Sequence, residues 1–126
     1  MEEFVNNLSP LALAFIGDGV HTLFVREFVV KGGISNLNNY HLKAKKFCNA
    51  KHQKEVLEKL LPMLTQEESE IVRRARNAKS KHKAKNFNEE EYKKATAFEA
   101  LVGFLYLTEQ KERLEEILKI SVSEEV

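Results

Sequence analysis

Cysteine, proline and glycine are scarce in this 126-residue chain, and each scarcity excludes a class of fold. The one cysteine, Cys48, cannot form an intramolecular disulfide, which excludes a disulfide-stapled scaffold. Two prolines, five glycines and almost no alternation of apolar and polar residues exclude a strand-rich fold and predict an all-α one. No apolar stretch approaches the ~20 residues that a bilayer-spanning helix needs.

Net charge is also small, formally +1, although 31% of the residues are charged and 43% are apolar. These proportions are typical of a globular protein, and the length suits one domain with a substantial core. The acidic N-terminus, Met1-Glu2-Glu3-Phe4, lacks the basic and apolar regions of a secretory signal. We therefore expect a single domain over residues 1–126 in a reducing, cytoplasmic compartment.

Capping residues and apolar periodicity divide the chain into helices. Ser9-Pro10 is a strong helix start, because serine caps and proline tolerates the first helical position. That helix should end at Gly32-Gly33, Thr65 and Glu68 form a capping box, and Asn88 is a further expected cap. The pattern does not decide whether the second and third helices are continuous. The predicted helices cover 10–31, 37–46, 50–61, 66–77, 89–107 and 111–120, with a loop over 78–88 and a frayed tail over 121–126.

Two of these helices each carry one carboxylate among apolar residues. Asp18 lies in the segment Leu11–Val20 and Glu99 in the segment Ala95–Gly103. A buried carboxylate needs a cation, a hydrogen-bond network or a function to offset its desolvation. Taken one at a time, each has a simpler explanation, since Asp18 could face solvent and glutamate is a good helix former. Gly17 weakens the helix by up to about 1 kcal/mol relative to alanine, so another constraint must favour it.

Taken together, the two carboxylates are the minimum for a site that binds a hard divalent cation. Mg²⁺ prefers oxygen ligands and is commonly held by one or two carboxylates plus a substrate phosphate, and Mn²⁺ is the alternative ion. The four histidines are scattered without zinc spacing, and no glycine-rich phosphate loop is present. The residues by themselves leave both the metal site and the simpler explanations open.

The same two segments resemble a known family. The sequence Phe15-Ile16-Gly17-Asp18-Gly19-Val20 is similar to the signature helix of the ribonuclease III family, and Ala97–Gly103 is similar to its second catalytic helix. The resemblance extends from Ser9 to about Leu118 and includes Arg73–Lys79. It is strongest to the Mini-ribonuclease III branch, which lacks a double-stranded-RNA-binding domain. The resemblance implies a single ribonuclease III-like helical domain that forms homodimers.

Asp18 and Glu99 are the catalytic residues and Mg²⁺ ligands that the resemblance implies. Larger relatives carry two further acids, at the positions where this chain has Ala14 and Thr96. The implied activity is metal-dependent endonucleolytic cleavage of double-stranded RNA with 5′-phosphate products. The implied substrate is the precursor of large-subunit (23S) ribosomal RNA, with a ribosomal protein as a candidate helper. The absent acids keep open a catalytically silent protein that only binds structured RNA.

A basic stretch without any acid lies between the two carboxylates. A run of like charges is usually a solvated face, and it could also dock an acidic protein, but a phosphate backbone would offset its repulsion. Only Phe87 interleaves with the stretch, which favours a duplex over a single strand. His41 is at the start of a second basic segment and is a further candidate RNA contact. The alternative interpretation is that His41 is a partly buried histidine at the start of a helix. The candidate RNA contacts are Arg73, Arg74, Arg76, Asn77, Lys79, Lys81, Lys83, Lys85 and His41.

Large apolar side chains are more numerous than a thin helical bundle requires. They are consistent either with a well-filled core or with a surface that a second copy of the chain covers in the homodimer. The residues concerned are Phe15, Leu23, Phe24, Phe28, Phe98, Phe104 and Tyr106.

Overall fold

The computed structural model describes residues 2–78 and 88–123, and within them it contains helices and no strand, which confirms the predicted all-α class. None of the described helices combines the length and the apolar character that crossing a membrane requires. The α-helices are α1 (Glu2–Asn6), α2 (Pro10–Lys31), α3 (Leu37–Cys48), α4 (Ala50–Leu60), α5 (Gln66–Asn77), α6 (Glu89–Leu107) and α7 (Lys111–Ser121), and a 3₁₀ turn covers Leu61–Met63.

Side-chain caps set the starts of these helices. The Ser9 hydroxyl accepts a hydrogen bond from the Ala12 amide at 3.1 Å, as the Ser9-Pro10 pattern predicts. Thr65 and Glu68 form the predicted capping box, each side chain accepting from the other residue's backbone amide. Asn49 is extended, ends α3 and caps α4, so these two helices are separate.

The described structure also corrects several predicted boundaries. α1 was not expected from the sequence, and α3 continues past Lys46 to Cys48. The prediction of a tail that begins at Ser121 is wrong for its first two residues, because Ser121 is helical and fully buried and Val122 packs into the core. Residues 79–87 of the predicted loop lie outside the described residues.

Helix α6 lies at the centre of the fold. It packs against α2, α4, α5 and α7, and its buried residues point in all directions around the helix. Phe98, Leu101 and Leu105 are fully buried there. A helix that is apolar on every side is stable only when neighbours cover it, which this arrangement provides. Glu99 therefore lies on the helix that most of the core surrounds.

Two glycines let α2 and α6 cross with their backbones in contact. A Cβ atom added to Gly17 would lie 1.7 Å from the carbonyl oxygen of Glu99, and one added to Gly103 would lie 2.0 Å from that of Leu13. Only glycine permits so close an approach. The contact joins α2 and α6 at the positions of the two candidate carboxylates.

The large apolar residues divide between the core and the surface. Phe98 and Phe104 are buried and Phe24 is partly buried, as a well-filled core predicts. The remaining four residues are exposed, so the core explanation is wrong for them. They are Phe15, Leu23, Phe28 and Tyr106, with exposed fractions of 80%, 60%, 43% and 53%.

A buried ion pair joins α5 to α7. Glu68, which is 2% exposed, accepts two hydrogen bonds of 2.9 Å from the Arg113 guanidinium. The same guanidinium donates to the Met63 carbonyl. Burial acts to raise the pKa of Glu68, but the hydrogen bonds from Arg113 and Thr65 outweigh it and lower this pKa. The capping glutamate therefore stays ionised and holds α7 in place.

Candidate metal centre

Asp18 and Glu99 come together at the crossing of α2 and α6, as the sequence predicts for a two-carboxylate site. Asp18 directly follows Gly17, and the atom closest to the missing Gly17 side chain belongs to the backbone of Glu99. The two carboxyl side chains lie close enough for a protonated Glu99 to hydrogen-bond Asp18, which raises the pKa of Glu99. Asp18 is exposed and Glu99 is partly buried, so the pair opens to the surface through Asp18.

The contact between the carboxyls changes the chemistry of Glu99. Burial, followed by the contact with Asp18 and its negative charge, raises the pKa of Glu99 to about 9, although the neighbouring amide of Gln53 acts to lower it. Like-charged carboxyls in contact cannot both ionise readily unless a cation offsets their charge. Without a cation the pair therefore keeps a proton at neutral pH.

The donor set of this pair fits a hard divalent cation. Two carboxylates supply oxygen ligands, and an ion such as Mg²⁺ keeps several waters or takes phosphate oxygens for its other positions. Among residues 2–78 and 88–123, no three or more histidine, cysteine, aspartate or glutamate side chains are grouped as a metal would require. Ala14 and Thr96 are both buried and supply no carboxylate. The site is thus a two-acid site that leaves room for substrate oxygens.

A buried polar layer behind Glu99 was not predicted from the sequence. Gln53 on α4 hydrogen-bonds His21 and lies beside Glu99, whose pKa it acts to lower, and His21 lies 3.2 Å from the Ser121 hydroxyl. A signal for Gln53 was present, because it occupies an apolar position of α4 in register with Val56, Leu57 and Leu60. His21 follows Asp18 by three residues, which is the spacing of helical neighbours.

The candidate RNA contacts are only partly within the described structure. Arg73, Arg76 and Asn77 are exposed near the end of α5, and Arg74 is partly exposed. Arg73 forms an ion pair with Glu70, so an acid outside the basic stretch offsets part of its charge. His41 is exposed on α3, so the alternative of a partly buried histidine is wrong. Lys79, Lys81, Lys83 and Lys85 lie outside the described residues.

Comparisons with known proteins identify the family. A ribonuclease III domain model matches residues 11–110. The chain is 44% identical to the Mini-ribonuclease 3 of Thermoanaerobacter sp. over 96% of this chain and 85% of that protein. It is 43% identical to the Mini-ribonuclease 3 of Staphylococcus aureus over 93% and 89% of the two chains. The chain belongs to the Mini-ribonuclease III branch of the ribonuclease III family.

A solved structure supports the same fold for this Mini-ribonuclease III family member. The crystal structure of a protein from Fusobacterium nucleatum matches with a TM-score of 0.84 and 32% identity, covering 95% of this chain and 96% of that one. The predicted family and fold are therefore confirmed, and the chain is an endoribonuclease. A ribonuclease III domain implies binding of double-stranded RNA, and enzymes of this family generally depend on divalent metals.

Proposed function

We propose that the chain is a homodimeric endoribonuclease that cuts double-stranded RNA at a cation held by Asp18 and Glu99. The observation that carries this proposal is the direct contact between the two carboxyls at a glycine-lined helix crossing. A carboxyl pair that keeps a proton in the absence of metal is a site whose charge a divalent cation can offset. Mg²⁺ is the proposed ion, and Mn²⁺ is expected to substitute for it.

The protein residues have distinct tasks in this proposal. When bound, the divalent ion supplies water activation and charge stabilisation at the phosphodiester. Asp18, which is exposed, presents its carboxylate where an RNA phosphate can approach. Glu99 loses its proton when the cation binds and contributes the second carboxylate. The expected products carry 5′-phosphate ends.

RNA binding is assigned to the basic end of α5. Arg74, Arg76 and Asn77 precede the proposed lysine contacts Lys79–Lys85, and α5 packs directly against α6. Arginine can contact phosphate oxygens in a forked geometry. The major groove of A-form RNA is too narrow to read, so these contacts recognise shape and backbone rather than sequence. His41 is proposed as an additional contact from α3. Binding should therefore weaken steeply as salt is added.

The homodimer is proposed to form through the exposed apolar face of α2. Phe15, Gly19 and Leu23 are four residues apart, so they share one helix face, and the two large side chains are mostly exposed. A two-fold contact between such faces would bring the two Asp18 residues into one assembly, with one site for each RNA strand. Phe15→Glu should convert the dimer to a monomer in sedimentation equilibrium, whereas a monomeric wild-type chain would contradict this interface.

The proposed physiological substrate is the precursor of 23S ribosomal RNA. This proposal is supported by membership of the Mini-ribonuclease III branch, for which the sequence resemblance implies that substrate. Incubation with precursor RNA, naked or bound to ribosomal proteins, tests both the substrate and the need for a ribosomal-protein helper. Mature-end formation that occurs only on the protein-bound RNA would assign the helper role.

The test of the site uses a labelled RNA duplex with Mg²⁺ or with EDTA. We expect cleavage only with Mg²⁺, and Asp18→Asn should abolish cleavage while duplex binding in EDTA stays within about twofold, since the carboxylate does not provide the phosphate grip. Persistent cleavage by Asp18→Asn would refute the assigned site. If the wild type binds the duplex without cleaving it, the result would favour a silent RNA-binding protein. If the wild type neither binds nor cleaves the duplex, the result would favour a module that docks acidic proteins.

A further inference from the structure

Gln53 is a polar residue in an apolar position. It is 4% exposed and lies on the face of α4 that also buries Val56, Leu57 and Leu60. Burying an amide costs free energy unless its donors and acceptor are paired, so such a residue survives in a core only with specific partners. The partners of Gln53 lie next to the proposed metal centre.

The hydrogen bonds of Gln53 form one directed chain. Its Nε2 lies 3.3 Å from Nδ1 of His21, and the same amide lies beside the carboxyl of Glu99, whose pKa it acts to lower. An amide N–H can only donate, so Nδ1 of His21 accepts and the histidine proton resides on Nε2. That Nε2–H donates over 3.2 Å to the Ser121 hydroxyl, which donates in turn to the Leu118 carbonyl.

The chain fixes the orientation of the Gln53 amide. His21 is 1% exposed and packs edge-on against Phe98, with ring centroids 5.0 Å apart, so the imidazole cannot turn freely. A fixed imidazole acceptor holds the Gln53 amide in one orientation beside Glu99. Residues from α2, α4 and α7 thereby act on one carboxylate of α6.

We propose that Gln53 is a positioning residue that orients the carboxylate of Glu99 for binding of the divalent cation. This inference rests on the proposed metal site of Asp18 and Glu99. Groups that hydrogen-bond metal ligands are commonly worth 10- to 100-fold in metal affinity. A site with only two protein ligands has no third carboxylate to correct a misaligned Glu99.

The test measures Mn²⁺ binding to the full chain without RNA, from the paramagnetic resonance signal of free Mn²⁺. Gln53→Met keeps the length of the side chain but cannot donate, and it should raise the Kd about tenfold or more. Val56→Ala is the matched control, because Val56 is fully buried on the same helix. It should lower the melting temperature and leave the Kd unchanged.

A second readout separates positioning from a merely structural role. In duplex cleavage, Gln53→Met should need about tenfold more Mg²⁺ for half-maximal rate and recover most of the rate at saturating Mg²⁺. If Gln53→Met fails to fold, Gln53→Asn decides, because it keeps a polar amide in the same place in the chain but withdraws that amide by one methylene from Glu99. It should weaken Mn²⁺ binding in the same direction.

The outcomes for Gln53 and for the metal site are distinguishable. If the wild type binds Mn²⁺, Glu99→Gln abolishes binding and both Gln53 variants bind like the wild type, the positioning role is overturned and the metal site stands. If the wild type binds no Mn²⁺, or binding survives both Asp18→Asn and Glu99→Gln, the proposed metal site itself fails.

Discussion

Replacing Gly17 with alanine should damage both the stability and the metal centre. The new Cβ would lie 1.7 Å from the Glu99 carbonyl oxygen and 2.8 Å from the Gly103 amide nitrogen, both backbone atoms. Real Cβ contacts essentially never fall below 3.0 Å, so the helices must separate by more than an ångström. Overpacking of this kind costs about 1–3 kcal/mol. We expect the upper end, because no side-chain rotation relieves the contact.

The gain in helix propensity offsets part of this cost. Alanine in place of glycine stabilises a helix by about 1 kcal/mol, so the net loss should be about 2 kcal/mol. For a domain of this size that lowers the melting temperature by about 8 °C. The same shift moves Asp18 away from Glu99, and a displacement of about 1 Å at a catalytic group can cost about 100-fold in rate.

The assay combines thermal denaturation with duplex cleavage at a temperature where the variant is folded. Gly32→Ala, at the residue that caps the end of α2, is the control, since its φ is −74° and its Cβ would lie 3.3 Å from the Val29 carbonyl oxygen, which requires an adjustment of only a few tenths of an ångström. It should leave both quantities near the wild type. Gly103→Ala meets the same crossing and should behave like Gly17→Ala, with the double variant costing less than the sum. Wild-type melting and cleavage of Gly17→Ala would refute the reasoning.

Further predictions concern titration and the buried ion pair. Because the pKa of Glu99 is about 9 without metal, Mn²⁺ binding should release close to one proton at pH 7, and the affinity for Mn²⁺ should increase as pH rises. Calorimetry in two buffers of different ionisation enthalpy measures the number of protons released, and a value of zero would contradict the prediction. In the metal-free chain the raised pKa of Glu99 contributes stability that is fully present below about pH 4.5 and is lost as pH rises towards 9. Glu99→Gln should therefore flatten the fall of the free energy of unfolding with pH over this range, as measured by urea denaturation. Burial, with a smaller effect from the charge of His52, lowers the pKa of His21 to about 4, so the contribution of His21 to stability is present above pH 6.5 and is lost as pH falls towards 4. His21→Phe should therefore reduce the loss of stability between pH 6.5 and pH 4 in urea denaturation. Arg113→Met leaves Glu68 buried without its cation and should cost about 3–5 kcal/mol in urea denaturation, whereas the loss of an exposed ion pair should cost little.

The helices were predictable because their signals are local. The Ser9 cap, the Thr65–Glu68 box and the apolar spacing each depend on residues within a turn of one another. The two carboxylates were predictable for a different reason, since an acid in an apolar helix needs a compensating partner. Their actual meeting point depends on the glycines, and the sequence indicated only that something other than helix propensity favours Gly17.

The polar layer behind Glu99 was not predictable in the same way. Gln53 and His21 are 32 residues apart and His21 and Ser121 are 100 apart, so tertiary packing alone decides their pairing. The exposed aromatic residues show a second limit. Periodicity places Phe15 on an apolar face but does not state whether the same chain or another copy covers it.

The fold compensates for the small number of acids with geometry. Two carboxylates supply less charge than a larger set, and in the metal-free chain Glu99 keeps its proton at neutral pH. Adding an acid at Ala14 would bury a third charge beside two carboxyls that already cannot both ionise readily. In the proposed site, the backbone-tight crossing at Gly17 and the Gln53 amide instead hold the two proposed ligands in position. In this chain the cation affinity should therefore depend as strongly on residues that never contact the cation as on the ligands themselves.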